Sequence, residues 1–422
     1  MSNRKEIRDL IVFDCKGVTP KYVKHSSTIV LNQKCIKEFK LDYSLAQFIS
    51  QEQKISEEKY LKVGDILINS TGQGTAGRCA IVSYIPDGYK VTVDSHMLII
   101  RCSDINTAYI LAYNIYLNES YIMKLLTGSS GQAELDKVRL YNINIPIPKN
   151  KKTFKDFLVL IQNKIENNNK INEELESMAK TIYDYWFLQF EFPNEEGNPY
   201  KSSGGKMVWN EELKREIPEG WKCGNIGCLF ESQAGYAFKS KDWKISGHPV
   251  LTIKAIDDMG NINFKDSCYI DNDFDKKLLK YAVKNGNMVF AMSGNTIGKV
   301  GIIASNIDNI LINQRVLIIK TKPASIAYPY FILKDSRVRN LIEQLGRNSA
   351  QPNISEEQLR NIKTIIPQNL ILKKYNEICS FYFEKKIKNQ IENQELEQLR
   401  DFILPLLMNG QIEFRELELA EG

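Results

Sequence analysis

The chain repeats itself, and a duplicated unit restricts the available folds more than any single motif does. At an offset of roughly 220 residues, IVLNQKCI at Ile29–Ile36 falls on PVLTIKAI at Pro249–Ile256. VGDILINSTGQGTAGRCAIV at Val63–Val82 falls on NGNMVFAMSGNTIGKVGII at Asn285–Ile303, with one residue inserted. VDSHMLIIR at Val93–Arg101 falls on INQRVLIIK at Ile312–Lys320, and GSSGQAELDKVRLYNINIPIP at Gly128–Pro148 on GRNSAQPNISEEQLRNIKTIIP at Gly346–Pro367. NEELESMAKTIYDYWF at Asn172–Phe187 falls on NQELEQLRDFILPLLM at Asn393–Met408. Blocks that keep one order and nearly one offset describe two copies of a unit of about 200 residues.

Each copy opens strand-rich. Short β-branched runs at Asp65–Asn69, Cys79–Tyr84, His96–Ile100, Met288–Met292 and Leu311–Ile319 are punctuated by Gly, Asn and Ser. Asn106–Leu126 and Ile326–Leu345 read as helices within those parts. Each copy then closes on one long helix. Phe154, Phe157, Ile161, Ile171, Leu175, Met178, Ile182 and Tyr185 follow a 3-4 spacing, as do Ile378, Tyr382, Leu396, Leu399, Ile403 and Leu406. So narrow a stripe predicts helix pairing, with Lys164, Asn168, Lys385 and Asn389 as register-fixing polar interruptions. The expected fold is α+β: two strand-rich domains separated by two long antiparallel coiled-coil helices. Roughly 30 helical residues would span about 45 Å. The Pro-, Gly- and Ser-containing stretch Phe190–Lys222 reads as a connector pinned by Trp209 and Trp221. The aromatic run Tyr183, Tyr185, Trp186 and Phe187 reads as a packing anchor or a docking surface.

Length and composition fit this plan. The 422 residues suffice for two or three domains, and no apolar run approaches the roughly 20 residues that span a bilayer. The charged opening MSNRKEIRDLIVF lacks a signal-peptide pattern, so a cytoplasmic location is expected. Eight scattered cysteines without a CxxC pair, beside three histidines, exclude a recognisable zinc site and read as small core residues. The formal net charge of +5 permits a polyanionic partner without requiring one.

Two similar globules on a stiff spacer measure distance. Duplex DNA rewards such a ruler, because sites on one face recur every helical turn of roughly 34–36 Å. Candidate contacts follow from the duplication. Two glycine-punctuated loops lie at matching places: Ser70, Thr71, Gln73, Thr75 and Arg78 in one, Ser293, Asn295, Thr296 and Lys299 in the other. Glycine lets backbone approach phosphate, and a cation closes each loop. The second is not a nucleotide-binding P-loop: its spacing is one short and Val300 follows the lysine. A second pair of loops carries Ser129, Ser130 and Gln132, and Arg347, Asn348, Gln351 and Asn353. Lys137 and Arg139 follow the first of these, within reach of phosphate. At the start of a strand, Asn313, Gln314 and Arg315 match Ser95 and His96, and Gln and Arg suit base edges. Lys21, Tyr22 and Lys24 correspond roughly to Lys239, Lys241 and Trp243, basic residues beside an aromatic. The competing readings are a hairpin turn for the glycine loops, a solvated loop for the second pair, an ordinary polar strand end for the strand-opening residues and a solvated face for the basic ones.

No catalytic constellation appears. The chain lacks the N/D-PP-Y/F clamp of an amino-methyltransferase, a convincing GxG loop for a methyl donor, a Ser-His-Asp set and a P-D…(D/E)xK nuclease pattern. The residues therefore favour a binding protein without a cofactor. A divergent methyltransferase or nuclease, and a pure assembly scaffold, remain as alternatives.

Over nearly its whole length the chain resembles the specificity subunits of type I restriction–modification systems. The matching stretches are GVTPKYV and IVLNQKCI within Gly17–Ile36, IPEGWK at Ile217–Lys222, GYAFKSKDW and GHPVLTIKAI within Gly235–Ile256, and the tail NQELEQLRDFILPLLMNGQIEF. The resemblance implies a first target-recognition domain at 1–149, a spacer helix at 150–190 and a connector at 191–222. A second recognition domain at 223–368 and a second helix with tail at 369–422 complete the plan. It implies double-stranded DNA as ligand, no catalysis, two methyltransferase subunits docked on the helices, restriction subunits beyond those, and no membrane. The family often places a Pro-Gly-Trp element before its first domain. Its absence here implies a trimmed start.

Overall fold

The computed structural model describes residues 3–72, 74–127, 134–320, 326–346 and 352–413. The chain packs as two compact units, Met1–Gln162 with Gln398–Gly422, and Asn163–Glu397.

The units share a plan. In the first, an antiparallel sheet orders Ile11–Lys16, Met97–Cys102, Ile66–Asn69 and Cys79–Ile81. In the second, Glu231–Ala234, Val316–Lys320, Met288–Ala291 and Val300–Ile302 take the same order. Both central strands are buried on both faces, which is why they read as continuous apolar runs rather than alternating ones. A second sheet in each unit contains one parallel pair, Thr28–Leu31 with Lys90–Val93 and His248–Leu251 with Ile310–Ile312. Apolar clusters fill the space against these sheets in each unit.

Several expected elements are interrupted. Leu311–Ile319 is two strands, Ile310–Ile312 and Val316–Lys320, because Asn313, Gln314 and Arg315 turn between them. The helix over 106–126 breaks at Asn118 into Ile105–Leu117 and Glu119–Ile122, and that over 326–345 breaks at Asp335 into Ala327–Lys334 and Ser336–Gly346. Of the cysteines, Cys35, Cys79 and Cys379 are core residues, whereas Cys228 and Cys268 are exposed. In the connector, Trp221 is buried and stacks on Phe192 with ring centroids 4.9 Å apart, but Trp209 lies exposed on the hairpin Met207–Asn210/Arg215–Pro218. Tyr183, Trp186 and Phe187 join the second unit's core, while Tyr185 faces solvent.

The long helices are Lys151–Tyr183 and Asn369–Met408. In the first unit their residues meet in an apolar core, Phe154 and Leu158 with Leu404 and Leu407. In the second unit the seam has an apolar part, Ala179 and Tyr183 with Tyr375, Cys379 and Phe383, and a polar part. The Asn168 amide donates to Asn393 at 2.9 Å and to Glu392 at 2.7 Å, and Asn389 donates to Asn172 at 2.9 Å. Glu176 accepts from Lys386, from Lys334 at 2.6 Å and from the Tyr330 hydroxyl at 2.9 Å. The partner numbers fall as 168, 172 and 176 rise, so the helices run antiparallel there. The buried lysine is Lys386; Lys385 is exposed. Ile171, Met178, Tyr185, Ile378 and Leu399, expected in the stripe, instead face outward. Amides that satisfy one another can occupy a seam without an unpaired polar group, which leaves apolar neighbours on the outer side.

Candidate nucleic-acid interface

The duplicated loops are built by the same backbone scaffold in both units. The strand Ile66–Asn69 runs into a loop whose Gly77, at φ 87°, donates its N–H to the Asn69 carbonyl at 2.8 Å. Gly298, at φ 84°, donates to Ala291 at 3.0 Å in the same way. A positive φ is open to glycine at little cost, so the loops close at these positions. The Ser70 N–H donates to the His96 carbonyl at 2.8 Å, and Met292 donates to Arg315 at 3.0 Å. Thr71 bridges Glu134, and Ser293 bridges Asn353. The matched pairs are therefore Ser70 with Met292 and Thr71 with Ser293, one residue from the pairing that the loop sequences invite.

The strand-opening turns match equally well. His96 donates its N–H to the Asp94 carboxylate at 3.0 Å, and Arg315 donates its own to the Asn313 side chain at 3.1 Å. Burial pushes the Asp94 carboxyl up, against the lowering effect of the His96 N–H. Gly17 and Gly235 pass directly behind these turns. A Cβ would lie 2.1 Å from the Asp94 carbonyl oxygen at Gly17 and 2.3 Å from that of Ile312 at Gly235.

Each unit thus gathers its glycine loop, its strand-opening turn and the far side of its second loop into one cluster. Thr71, Thr75 and Arg78 belong to the first cluster; Asn295, Thr296, Lys299, Gln314, Arg315 and Asn353 belong to the second. Asn295, Gln314, Arg315 and Asn353 are exposed. Ser70 is buried with its hydroxyl donated to the His96 carbonyl at 2.8 Å, so it holds the turn. Ser293 is also buried. Most cations near the clusters have partners. Lys299 pairs with Asp258 at 2.9 Å, Arg139 with Asp136 at 3.3 Å, and Lys137 with Asp14. Arg78 stands 3.9 Å from Glu119, whose carboxyl is pushed up by burial despite that arginine, so this pair is loose. Lys21, Tyr22 and Lys24 are exposed around a short strand, Tyr22–Val23, beside Gln47–Ile49, and Lys239 and Lys241 are exposed around a short helical turn. Gln73, Ser129, Ser130, Gln132, Arg347, Asn348 and Gln351 lie outside the described residues.

Gln33 escaped the sequence reading. Its amide donates to the Thr71 hydroxyl at 2.9 Å and its carbonyl accepts from the Asn69 amide at 3.1 Å, tying the first loop down. Nothing local marks a residue so far along the chain as part of that loop. Glu134, paired with Lys16, was also missed. Only its register opposite Asn353 in the repeat could have found it. No group of three His, Cys, Asp or Glu among the described residues is placed to hold a metal, and no helix among them is long and apolar enough to cross a membrane.

Comparison with known proteins identifies the class. The family described as the type I restriction modification DNA specificity domain matches residues 30–177 and 218–399, one stretch per repeat. The chain belongs to that family: it recognises DNA sequence and is not a catalytic component. It is 26% identical over 310 residues to the type I restriction enzyme MjaIX specificity subunit of Methanocaldococcus jannaschii, covering 71% of this chain and 67% of that one. It is 24% identical over 413 residues to the HindI specificity subunit of Haemophilus influenzae, covering 84% and 88%. A crystal structure of the type I restriction–modification S subunit from M. genitalium aligns over 96% of both chains at 14% identity, with a TM-score of 0.49.

Proposed function

We propose that the two units read two different halves of one split duplex target and deliver partner subunits to it. The observation that carries this reading is the pair of loop clusters, alike in backbone and different in side chains. One scaffold with two sets of tips suits a target of two unlike halves, whereas identical readers in a symmetric dimer suit a palindrome. In this reading residues 1–149 and 223–368 are the recognition domains, 150–190 and 369–422 carry the spacer helices, and 191–222 connects them. The loop residues approach bases and backbone. Lys21, Tyr22, Lys24, Lys239 and Lys241 supply phosphate contacts, which position the protein without carrying sequence information.

The partners are two methyltransferase subunits, with restriction subunits joining them. The relatives' names, specificity subunits of restriction enzymes, support an assembly of this kind. So do the outward-facing apolar residues on the long helices: Leu160 and Phe402 in the first unit, Leu370 and Phe381 in the second.

Base-resolution mapping of methylation, in cells carrying this chain with its methyltransferase partner and in cells lacking the chain, tests the reading. A split methylated motif that depends on the chain is expected. Methylation unchanged by its loss would refute it.

A further inference from the structure

We propose that the residue opening the inner strand of each unit, His96 in the first and Arg315 in the second, is the specificity-determining position of that unit, with Arg315 reading the acceptor edge of a guanine. The inference rests on the loop clusters facing DNA.

A base-reading side chain needs a fixed root and uncommitted donors. Arg315 has both. Its N–H is donated to the Asn313 side chain at 3.1 Å and its carbonyl accepts the Met292 N–H at 3.0 Å, which holds the backbone from both sides. Its side chain is exposed, and among the described residues the guanidinium has no hydrogen-bond or ion-pair partner. Lys299, the other cation of that cluster, pairs with Asp258. A planar fork of donors matches guanine O6 and N7 in the major groove, and a lysine in its place offers a flexible point charge without the fixed fork.

His96 stands at the same place on the same scaffold, with its N–H donated to Asp94 at 3.0 Å and its carbonyl accepting from Ser70 at 2.8 Å. Its Nδ1 lies 2.9 Å from the Thr71 hydroxyl, which already accepts from the Gln33 amide at 2.9 Å. That contact holds the ring by Nδ1 and leaves Nε2 as the ring atom free to meet a base. The exposed ring presents one nitrogen where Arg315 presents a fork. One backbone position thereby reads two different bases.

Binding of the full-length chain, with the subunits that co-purify with it, to duplexes randomised over the target tests this. The wild-type chain selecting a sequence is the control for the parent reading; no selection at all would overturn both. Arg315→Lys keeps the charge at an exposed site. It should reduce discrimination at one base pair of one half by roughly ten- to a hundredfold, leaving the other half and the salt dependence unchanged. His96→Arg should introduce a guanine preference in the other half. If Arg315→Lys weakens all sequences alike, or leaves the selected sequence intact, Arg315 is a phosphate contact or a bystander and the inference fails.

Discussion

The two units differ least where their backbones turn and most where their side chains point outward. Gly17 and Gly235 back the same turn, Gly77 and Gly298 close the same loop, and the Asp94 and Asn313 side chains accept the same N–H. Around that frame His96 in one repeat corresponds to Arg315 in the other, and Glu134 corresponds to Asn353. Glycines and Asx caps are dictated by backbone geometry and cannot drift without cost. The exposed tips carry no such constraint, so a duplicated reader can acquire a second specificity without refolding. The helices obey the same rule. In the first unit they meet through Phe154, Leu158, Leu404 and Leu407, and in the second the matching positions, Tyr375, Cys379, Tyr183 and Trp186, are apolar too. The second unit adds a polar stretch of paired amides and a buried Glu–Lys cluster.

The largest effect should come from disturbing the shared frame. Gly17→Ala and Gly235→Ala each drive a Cβ into backbone carbonyls and should cost about 3 kcal/mol or more, by overpacking against atoms that cannot move aside. Urea denaturation reads both. If one variant is well tolerated, the two frames are not equivalent.

The helix seams sharpen the contrast. Glu176→Gln leaves Lys386 buried without its carboxylate and should cost about 3–5 kcal/mol. Burial pushes the Glu176 carboxyl up, but the Lys386 and Lys334 ammonium groups outweigh it and hold the carboxyl below its ordinary range. A lowered folded-state value means this stabilisation is complete above the unfolded value, about 4.3, and is lost as pH falls from there towards the folded one. The cost of Glu176→Gln should therefore shrink on acidification. Leu404→Ala in the first unit should cost about 2–5 kcal/mol with no such pH dependence. Denaturation midpoints at neutral pH and near pH 4 separate the two seams.

The repeat, the glycine loops and the long helices were legible because each leaves a local or periodic trace. The seam was legible in part. Asn168 and Asn389 stand in it as their place in the stripe implies, but Ile171, Met178 and Ile378, which fit the apolar stripe, face outward, and Asn172 and Asn393 are the buried partners that accept the amides. Which amides meet is a fact of register, and one helix alone does not reveal it. The turn at Asn313–Arg315 was hidden for another reason. β-Branched residues flank it on both sides, and it contains neither glycine nor proline to mark a break. Gln33 was hidden by distance along the chain.

Removal of a backbone contact should have the smallest effect. Lys21→Ala and Lys239→Ala should each weaken binding to all duplexes by a similar factor and lower the salt slope by about one. A change of preferred sequence would move these lysines from the positioning surface to the reading surface.

The most direct measurement is target selection by a chain in which residues 223–368 are replaced by a second copy of residues 5–149. If each unit reads its own half independently, the hybrid should select the first unit's half-site twice and lose the second altogether. Retention of the original split motif, or loss of preference in both halves, would contradict recognition by two separable readers.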